Sequence, residues 1–190
     1  MEEHVNPWKV KGSRQVYEND WIDVTEFDVI NPSGGKGIYG KVHFKNEAIG
    51  ILPLDDEMNT YLVGQYRFPI GQYSWEIPEG GSPQGEDPLQ SARRELLEET
   101  GLRASAWYKL LEMHLSNSVS DESAQIFLAR GLTQHMAEPE ETERLTVRKI
   151  PFEEAFKMVE RGEIMDSISV AAIQKLKLLI LQGLFNKSFS

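Results

Sequence analysis

The sequence predicts a mixed α/β protein of the α+β type, in which helices pack on β-sheets without a regular βαβ repeat. Strand-like alternation of apolar and polar residues fills most of the first 66 positions, and three helical patterns come later with strands between them. The chain of 190 residues is long enough to bury one core and carry a small extension. We therefore predict an N-terminal arm and β-hairpin over residues 1–45 and one main domain over residues 46–190.

The N-terminal region predicts a loose arm followed by a hairpin. Residues 1–13 are polar and include a proline and a glycine, which favours an arm without regular structure. Residues 21–29 and 38–44 both alternate between apolar and polar side chains, as half-buried strands do. The segment Asn31–Gly35 between them has the composition of a turn, so residues 21–44 predict a hairpin.

The remaining elements are predicted from apolar patterns and helix signals. Glycine and proline occupy six of the fifteen positions in 71–85, which predicts a long loop. A helix is expected over residues 86–100, because Gly101 stands where a helix-ending glycine belongs. Pro151 is expected at the first position of a second helix, and a third is expected over residues 167–184. Further strands are predicted at residues 48–54, 61–66, 107–115, 123–129 and 145–150.

Composition excludes several classes of function. The chain has no cysteine, which excludes disulfides, cysteine zinc sites and thiolate nucleophiles. It has no apolar run of the roughly 20 residues that a membrane span needs and no leader-like N-terminus, so we expect a cytoplasmic protein that does not contact membranes. The formal net charge of −10 disfavours nucleic acid as a partner. An acidic protein that acts on a phosphate would need cations between itself and the substrate.

Three glutamates of the first predicted helix indicate a cation site. Glu95, Glu98 and Glu99 lie three, four and one positions apart, which places them on adjoining parts of one helix surface. Like charges at these spacings repel, and hard divalent cations with oxygen ligands would offset that repulsion. For three glutamates alone, a solvated acidic helix face is the favoured explanation.

The residues around these glutamates decide between the two explanations. Gly80 precedes Glu86 by six positions, Arg94 follows eight positions later, and Arg94-Glu95-Leu96 leads into Glu98-Glu99 and Gly101-Leu102. This stretch resembles the Nudix box, G-x5-E-x7-R-E-U-x-E-E-x-G-U, at each fixed position, where U is a bulky aliphatic residue. The resemblance implies a Nudix α/β/α sandwich that hydrolyses a pyrophosphate bond.

The same resemblance implies a metal site and its ligands. It implies Mg²⁺, with Mn²⁺ as a possible substitute, bound by the carboxylates of Glu95, Glu98 and Glu99 and by the backbone carbonyl of Glu79. Arg94 is expected to bridge carboxylates and hold the loop and helix together. The glycine at position 80 is expected to let the loop backbone approach the site closely.

Sequence on both sides of the box narrows the substrate. Residues 65–67, 75–80 and 120–122 and the N-terminal hairpin resemble the branch that hydrolyses ADP-ribose and nucleoside-diphosphate sugars. In that branch an added antiparallel sheet precedes the Nudix fold and is exchanged between two chains of a homodimer. The resemblance implies that Trp21 and Tyr39 stack on the nucleobase, partly from the partner chain. Trp21 has an alternative role in the core of the dimer.

Three further side chains are candidates for substrate binding and catalysis. Arg67 has the geometry to pair with a phosphate, or it forms a structural salt bridge. Glu76 would bind a sugar hydroxyl, or it anchors its loop. Glu122 lies in a polar segment between two predicted strands and is the candidate general base that activates water for in-line attack on phosphorus. Asp121 and Glu98 remain competitors for the role of the base.

One departure leaves the sugar open. Many ADP-ribose enzymes have a proline about fifteen residues after the box, but residues 115–118 here are Leu-Ser-Asn-Ser. The tyrosine typical of diadenosine-polyphosphate enzymes is also absent, so GDP-mannose or another nucleotide sugar competes with ADP-ribose. Two alternatives to this function remain. One is a nucleoside triphosphate pyrophosphohydrolase, and the other is a non-catalytic Nudix module that senses a nucleotide. The intact set of carboxylates disfavours the second alternative.

Overall fold

The structure is a computed structural model that describes residues 5–137, 145–185 and 189. By their contacts these residues form two compact units. The first consists of residues 1–46 and 114–122, and the second consists of residues 47–113 and 123–190. The inclusion of residues 114–122 in the first unit was not expected from the sequence, because they lie between two strands of the second.

The first unit is a three-stranded antiparallel sheet in the order β1-β2-β3. Its strands are β1 (Lys9–Glu18), β2 (Ile22–Ile30) and β3 (Lys36–Phe44). The predicted hairpin is confirmed, since β2 and β3 pair from Ile22–Phe44 to Ile30–Lys36. Asn31 closes its turn, because its side-chain oxygen accepts from the amides of Ser33 and Gly35 at 3.0 and 2.9 Å.

The prediction of a loose arm over residues 1–13 was wrong for residues 9–13, which belong to β1. That strand pairs along β2 with two register shifts, but nearly all its side chains are exposed. An alternating pattern arises only where one face of a strand is buried, so backbone pairing alone left no signal in the sequence. Residues 1–4 of the predicted arm lie outside the described residues.

The second unit combines two sheets and three helices. One sheet is antiparallel, in the order β10-β5-β6, and the other has the order β7-β4-β9-β8 with β4 and β9 parallel. The fold class predicted from the sequence is confirmed. The strands are β4 (Asn46–Pro53), β5 (Asn59–Arg67), β6 (Gln72–Glu76), β7 (Glu79–Pro83), β8 (Leu102–His114), β9 (Ser123–Gln134) and β10 (Thr146–Pro151), and the helices are α1 (Pro88–Thr100), α2 (Phe152–Glu160) and α3 (Ser167–Leu181).

Two local predictions for this unit were wrong. The expected loop over residues 71–85 contains β6 and β7, with glycines in β7. Because β7 is an edge strand, its terminal Pro83 removes no central hydrogen bond, and short paired strands tolerate glycine. Pro151 ends β10 and precedes the first turn of α2, so it stands one position before the predicted one. The extended φ and ψ of Pro151, −54° and 136°, suit that junction.

The core of the second unit fixes α1 against its strands. Ala92 and Leu96 of the helix are fully buried with Ile49 and Ile51 of β4. Since these side chains recur on one face of α1, burial of that face determines where the rest of the helix points. Among the described residues, each helix is too short or too polar to span a bilayer.

The end of α1 depends on glycine, and this generates a test of the fold. Gly101 has φ 70°, and a Cβ there would lie 2.6 Å from the backbone oxygen of His135. Gly162 has nearly the same φ, 71°, with nothing within 4 Å of the corresponding position. We expect Gly162→Ala to lower the free energy of unfolding by about 1 kcal/mol and Gly101→Ala by about 2–4 kcal/mol, because only the latter adds a backbone clash. Urea denaturation measures both, and equal losses would contradict the predicted clash.

Candidate active site

Helix α1 is well defined at both ends by its sequence. Pro88 is its first residue, and the Asp87 side chain caps it by accepting from the Leu89 amide at 3.1 Å. Gly101 ends it in the left-handed conformation that the sequence predicts. The buried hydroxyls of Ser91 and Ser82 are 2.8 Å apart and join the helix to β7. The glutamates of the box are therefore held on a fixed support.

Arg94 lies among the box carboxylates and neutralises part of their charge. Its Nη1 contacts Glu95 Oε1 at 2.9 Å and Glu98 Oε2 at 3.0 Å, and its Nη2 donates to the Gly81 carbonyl at 3.1 Å. One guanidinium therefore bridges two glutamates and fastens α1 to β7, in the manner the sequence predicts. The pKa of Arg94 rises because the attraction of Glu95 and Glu98 outweighs the opposing effect of burial.

Glu99 is the most deeply buried glutamate of the box. It is 3% exposed, and its Oε2 accepts from the backbone amide of Glu79 at 3.0 Å. This bond places the peptide of Glu79, whose carbonyl is a predicted metal ligand, next to a box carboxylate. Helix α1 and strand β7 are therefore linked by a hydrogen bond between Glu99 and Glu79, two of the predicted metal-binding residues.

Gly80 is required by a close approach, as the sequence suggested. A Cβ at this position would collide with the carboxylate carbon and both oxygens of Glu95. The clash involves a charged group already paired with Arg94, so it could not be relieved without disturbing the box. The glycine that begins the box therefore makes room for its first metal-ligand candidate.

Arg67 and Glu76 form a structural ion pair. Arg67 Nε lies 3.0 Å from both oxygens of Glu76, Nη2 lies 2.6 Å from Oε2, and Nη2 also reaches Glu79 Oε1 at 3.3 Å. The Glu76 side chain is 4% exposed. Of the two roles considered for each residue, the salt bridge of Arg67 and the anchoring of its loop by Glu76 are present in the structure. Their contacts with a substrate stay predictions.

The pKa values of the Glu76 and Glu79 carboxyl groups are shifted in opposite directions. Burial raises the pKa of Glu79 well above its usual range, and the negative charges of Asp166 and Glu76 add to this effect. Burial also opposes ionisation of Glu76, but its hydrogen bonds to Arg67 outweigh it and lower its pKa. Asp166, which the sequence analysis missed, caps α3 by accepting from the Ser169 amide at 2.7 Å. The sequence signal that could have revealed Asp166 is its position just before the third predicted helix, where aspartate often caps a helix.

The chemical types of the predicted ligands suit a divalent metal. They are carboxylates and a carbonyl, the oxygen ligands that Mg²⁺ and Mn²⁺ prefer, and Gly80 gives a carboxylate room beside the loop. In the part of the chain that the structure describes, no three acidic or histidine side chains converge closely enough to bind an ion as they stand. Arg94 holds Glu95 and Glu98, so metal binding would require these carboxylates to exchange partners.

The two predicted base-stacking residues belong to the first unit. Trp21 is 69% exposed and lies opposite Lys45, whose amide donates to its carbonyl at 2.9 Å. Tyr39 is 38% exposed and pairs in register with Phe27. Six residues of strand separate the two positions, which corresponds to roughly 20 Å. Trp21 and Tyr39 of one chain are therefore too far apart to stack on the same base.

Asp121 and Glu122 also belong to the first unit. The carboxylate of Asp121 contacts Lys41 Nζ at 2.7 Å and His43 Nδ1 at 2.8 Å. Burial opposes ionisation of Asp121, yet hydrogen bonds from Lys41, His43 and the Phe44 amide lower its pKa to about 2. So weak a base, already occupied by two side chains, is poorly suited to take a proton from water near neutral pH. The alternation of β3 in the sequence did not reveal that Lys41 and His43 face this loop.

Comparison with known proteins agrees with this geometry. The NUDIX domain family matches residues 45–168, about two thirds of the chain. The chain belongs to the Nudix family. As a Nudix hydrolase it is a member of a family whose enzymes generally use a divalent metal. A second family, the nucleoside diphosphate sugar hydrolase N-terminal domain, matches residues 8–42.

Three relatives and one solved structure extend the comparison. This Nudix hydrolase is 37% identical over 150 residues to an ADP-ribose pyrophosphatase of Mycobacterium tuberculosis, covering 77% of this chain and 72% of the relative. It is 33% identical over 172 residues to an ADP-ribose pyrophosphatase of Bacillus subtilis, with coverage of 90% and 92%. A GDP-mannose pyrophosphatase of an Enterobacter species is 31% identical over 143 residues, with coverage of 70% and 74%. The crystal structure of an ADP compounds hydrolase has the same fold, with a TM-score of 0.83 at 22% identity, covering 96% of this chain and all of that one.

The buried carboxyl of Glu79 gives a test by pH. Because its folded pKa is raised, its ionisation opposes folding, so the penalty is absent below the ordinary glutamate pKa and grows as pH rises above it. We expect Glu79→Gln to raise the free energy of unfolding at pH 7–8 by on the order of 1 kcal/mol, with the gain shrinking towards pH 4. Urea denaturation at several pH values measures this. A gain independent of pH, or a loss at pH 8, would contradict the assigned environment.

Proposed function

We propose that this Nudix hydrolase cleaves the pyrophosphate bond of ADP-ribose or of a nucleoside-diphosphate sugar such as GDP-mannose, releasing a nucleoside monophosphate and a sugar phosphate. The substrate class rests above all on the match of residues 8–42 to the nucleoside diphosphate sugar hydrolase N-terminal domain, beside a complete box. The names of the relatives from Mycobacterium tuberculosis, Bacillus subtilis and Enterobacter support the same class.

We propose Mg²⁺ as the cofactor, with Mn²⁺ able to replace it. The metal would be held by the carboxylates of Glu95, Glu98 and Glu99 in α1 and by the backbone carbonyl of Glu79 in β7. Hydrogen bonds of Arg94 and Glu99 join this helix to this strand. When bound, the metal would neutralise charge on the pyrophosphate and make an attacking water more acidic. Arg94 would hold α1 to β7 through the Gly81 carbonyl while Glu95 and Glu98 exchange its guanidinium for the metal.

Glu122 is proposed as the general base. It would accept a proton from the water that attacks phosphorus, while the bond from that phosphorus to the bridging oxygen breaks. The ion contacts of Asp121 with Lys41 and His43 count against Asp121 as the base. Glu98, which contacts Arg94 at 3.0 Å, remains the alternative base.

Substrate binding is proposed to use side chains from two protomers. The separation of roughly 20 Å between Trp21 and Tyr39 implies that, if both stack on one base, they come from different chains of a homodimer. Several apolar side chains of the first unit are exposed in the single chain, including Val10, Val16 and Ile38, which supports pairing of this sheet with a second copy. Arg67 and Glu76 of the second unit are proposed to contact the substrate from their ion pair.

A hydrolysis screen tests the reaction and the substrate. ADP-ribose, GDP-mannose, UDP-glucose, diadenosine polyphosphates, NADH and nucleoside triphosphates are incubated with the protein and Mg²⁺, and products are separated by chromatography. We expect release of a nucleoside monophosphate from ADP-ribose or a nucleotide sugar. A preference for triphosphates, or no turnover of any substrate, would contradict the proposal.

The carboxylate requirement is tested with one isosteric substitution. Glu99→Gln removes the charge of the most buried box glutamate while keeping its size, so we expect turnover to fall by roughly a thousandfold or more, in line with the loss of a charge that supports the transition state. Glu160→Gln, an exposed position at the end of α2, is the matched control and should retain wild-type kcat. Wild-type activity in Glu99→Gln would remove this glutamate from the metal site.

A further inference from the structure

The segment that carries Glu122 is bonded to the edge of β3. The Val42 amide donates to the Val119 carbonyl at 2.8 Å, and the Asp121 amide donates to the Val42 carbonyl at 3.2 Å. Val42 and Ser120 form a parallel bridge. Residues 119–121 thus pair with the edge of β3 at one bridge, which explains why residues 114–122 belong to the first unit.

The Asp121 side chain reinforces this attachment with three more contacts. Its Oδ2 lies 2.7 Å from Lys41 Nζ and 2.8 Å from His43 Nδ1, and its Oδ1 accepts from the Phe44 amide at 3.2 Å. Lys41 and His43 lie two residues apart in β3, so their side chains leave the same face of the strand. One carboxylate therefore fixes the residue before Glu122 to two side chains on one face of β3 and to the backbone amide of its last residue.

The other end of the segment is held as well. The Tyr39 hydroxyl donates to the Ser118 carbonyl at 2.5 Å, and the Ser120 amide and hydroxyl both donate to the Ser116 carbonyl. The Leu115 amide donates to the Glu122 carbonyl at 3.0 Å and closes the segment on itself. With Tyr39 at one end and Asp121 at the other, the backbone of Glu122 has little freedom to shift.

We propose that Asp121 is a positioning residue for the general base. It fastens the Glu122 segment to β3 through Lys41, His43 and the Phe44 amide, and so fixes the backbone from which the Glu122 carboxylate extends. This proposal rests on the proposed function of Glu122.

Kinetics of Asp121 variants test the proposal. Asp121→Ala removes all three side-chain contacts, and we expect kcat to fall by on the order of tenfold or more with KM within twofold, because a displaced base slows proton transfer but not substrate binding. Asp121→Asn can still accept from the Phe44 amide but loses the charge, so its kcat should lie between those of the wild type and Asp121→Ala. Both are measured with Mg²⁺ on the best substrate of the screen.

Asp55→Ala is the matched control. Asp55 accepts from the amides of Glu57 and Asn59 and pairs with Lys149 at 2.8 Å, so its removal deletes similar contacts in a turn of the second unit. We expect Asp55→Ala to lower stability while kcat stays within twofold of the wild type. An equal loss of kcat in Asp55→Ala and Asp121→Ala would overturn the proposal, since it would trace the effect to general destabilisation.

Hydrogen exchange measures how firmly residues 115–122 are held, and it needs no substrate. We expect amides of residues 115–122 to exchange at least tenfold faster in Asp121→Ala than in the wild type, while exchange elsewhere in β3 changes less. Unchanged exchange, or faster exchange with full kcat, would overturn the proposal. Retained activity in Glu122→Gln, with Asp121→Asn as inactive as Asp121→Ala, would also overturn it by making Asp121 the base. If the wild type hydrolyses no substrate, the proposed function fails, and exchange alone decides whether Asp121 holds the segment.

Discussion

Electrostatic repulsion among acidic side chains is the constraint on which this site depends. Five glutamates, at positions 76, 79, 95, 98 and 99, are gathered on β6, β7 and α1 with little exposure to solvent. Unpaired buried carboxylates are costly, so each must find a cation, a hydrogen-bond donor or a proton. Two arginines, one backbone amide and a raised pKa supply these partners.

Much of the surrounding structure follows from that requirement. Arg94 reaches the Gly81 carbonyl while pairing with Glu95 and Glu98 only if α1 lies close to β7, and the Ser82–Ser91 contact keeps it there. Gly80 is needed because any side chain would occupy the space of the Glu95 carboxylate. An arrangement of this kind is hard to explain by stability, since replacing buried charges with apolar residues is often neutral or stabilising. The proposed cation site would give these carboxylates a reason to be there.

The sequence predicted the parts of the fold that have local signals. Helix α1 was found from its spacing and from Gly101, and the hairpin of β2 and β3 from alternation around Asn31. Strand β1 was missed because exposed side chains carry no period, and β6 and β7 were missed because glycine and proline suggested a loop. Local patterns report burial and turn chemistry, but they do not report which exposed backbones pair.

The site shows the same division between local and distant information. The bridging role of Arg94 followed from its place in the box, one and four positions before glutamates on one helix. Other contacts of the site join residues that are distant in sequence. They are the double pairing of Arg67 with Glu76 and Glu79, the charge of Asp166 beside Glu79, and the attachment of Asp121 to β3. Each depends on strand register, which a single sequence does not specify.

Thermal denaturation with and without divalent metal tests the central claim most directly, because it needs no substrate. A metal that binds only the folded protein stabilises it, by about 2.7 kcal/mol at a hundred times its Kd, which corresponds to roughly 5 °C or more in Tm for a chain of this size. The account predicts such a rise for the wild-type protein with Mg²⁺ or Mn²⁺, and its loss in Glu99→Gln. The same rise in Glu99→Gln, or none in the wild type with either metal, would contradict the claim that these carboxylates are gathered to bind a cation.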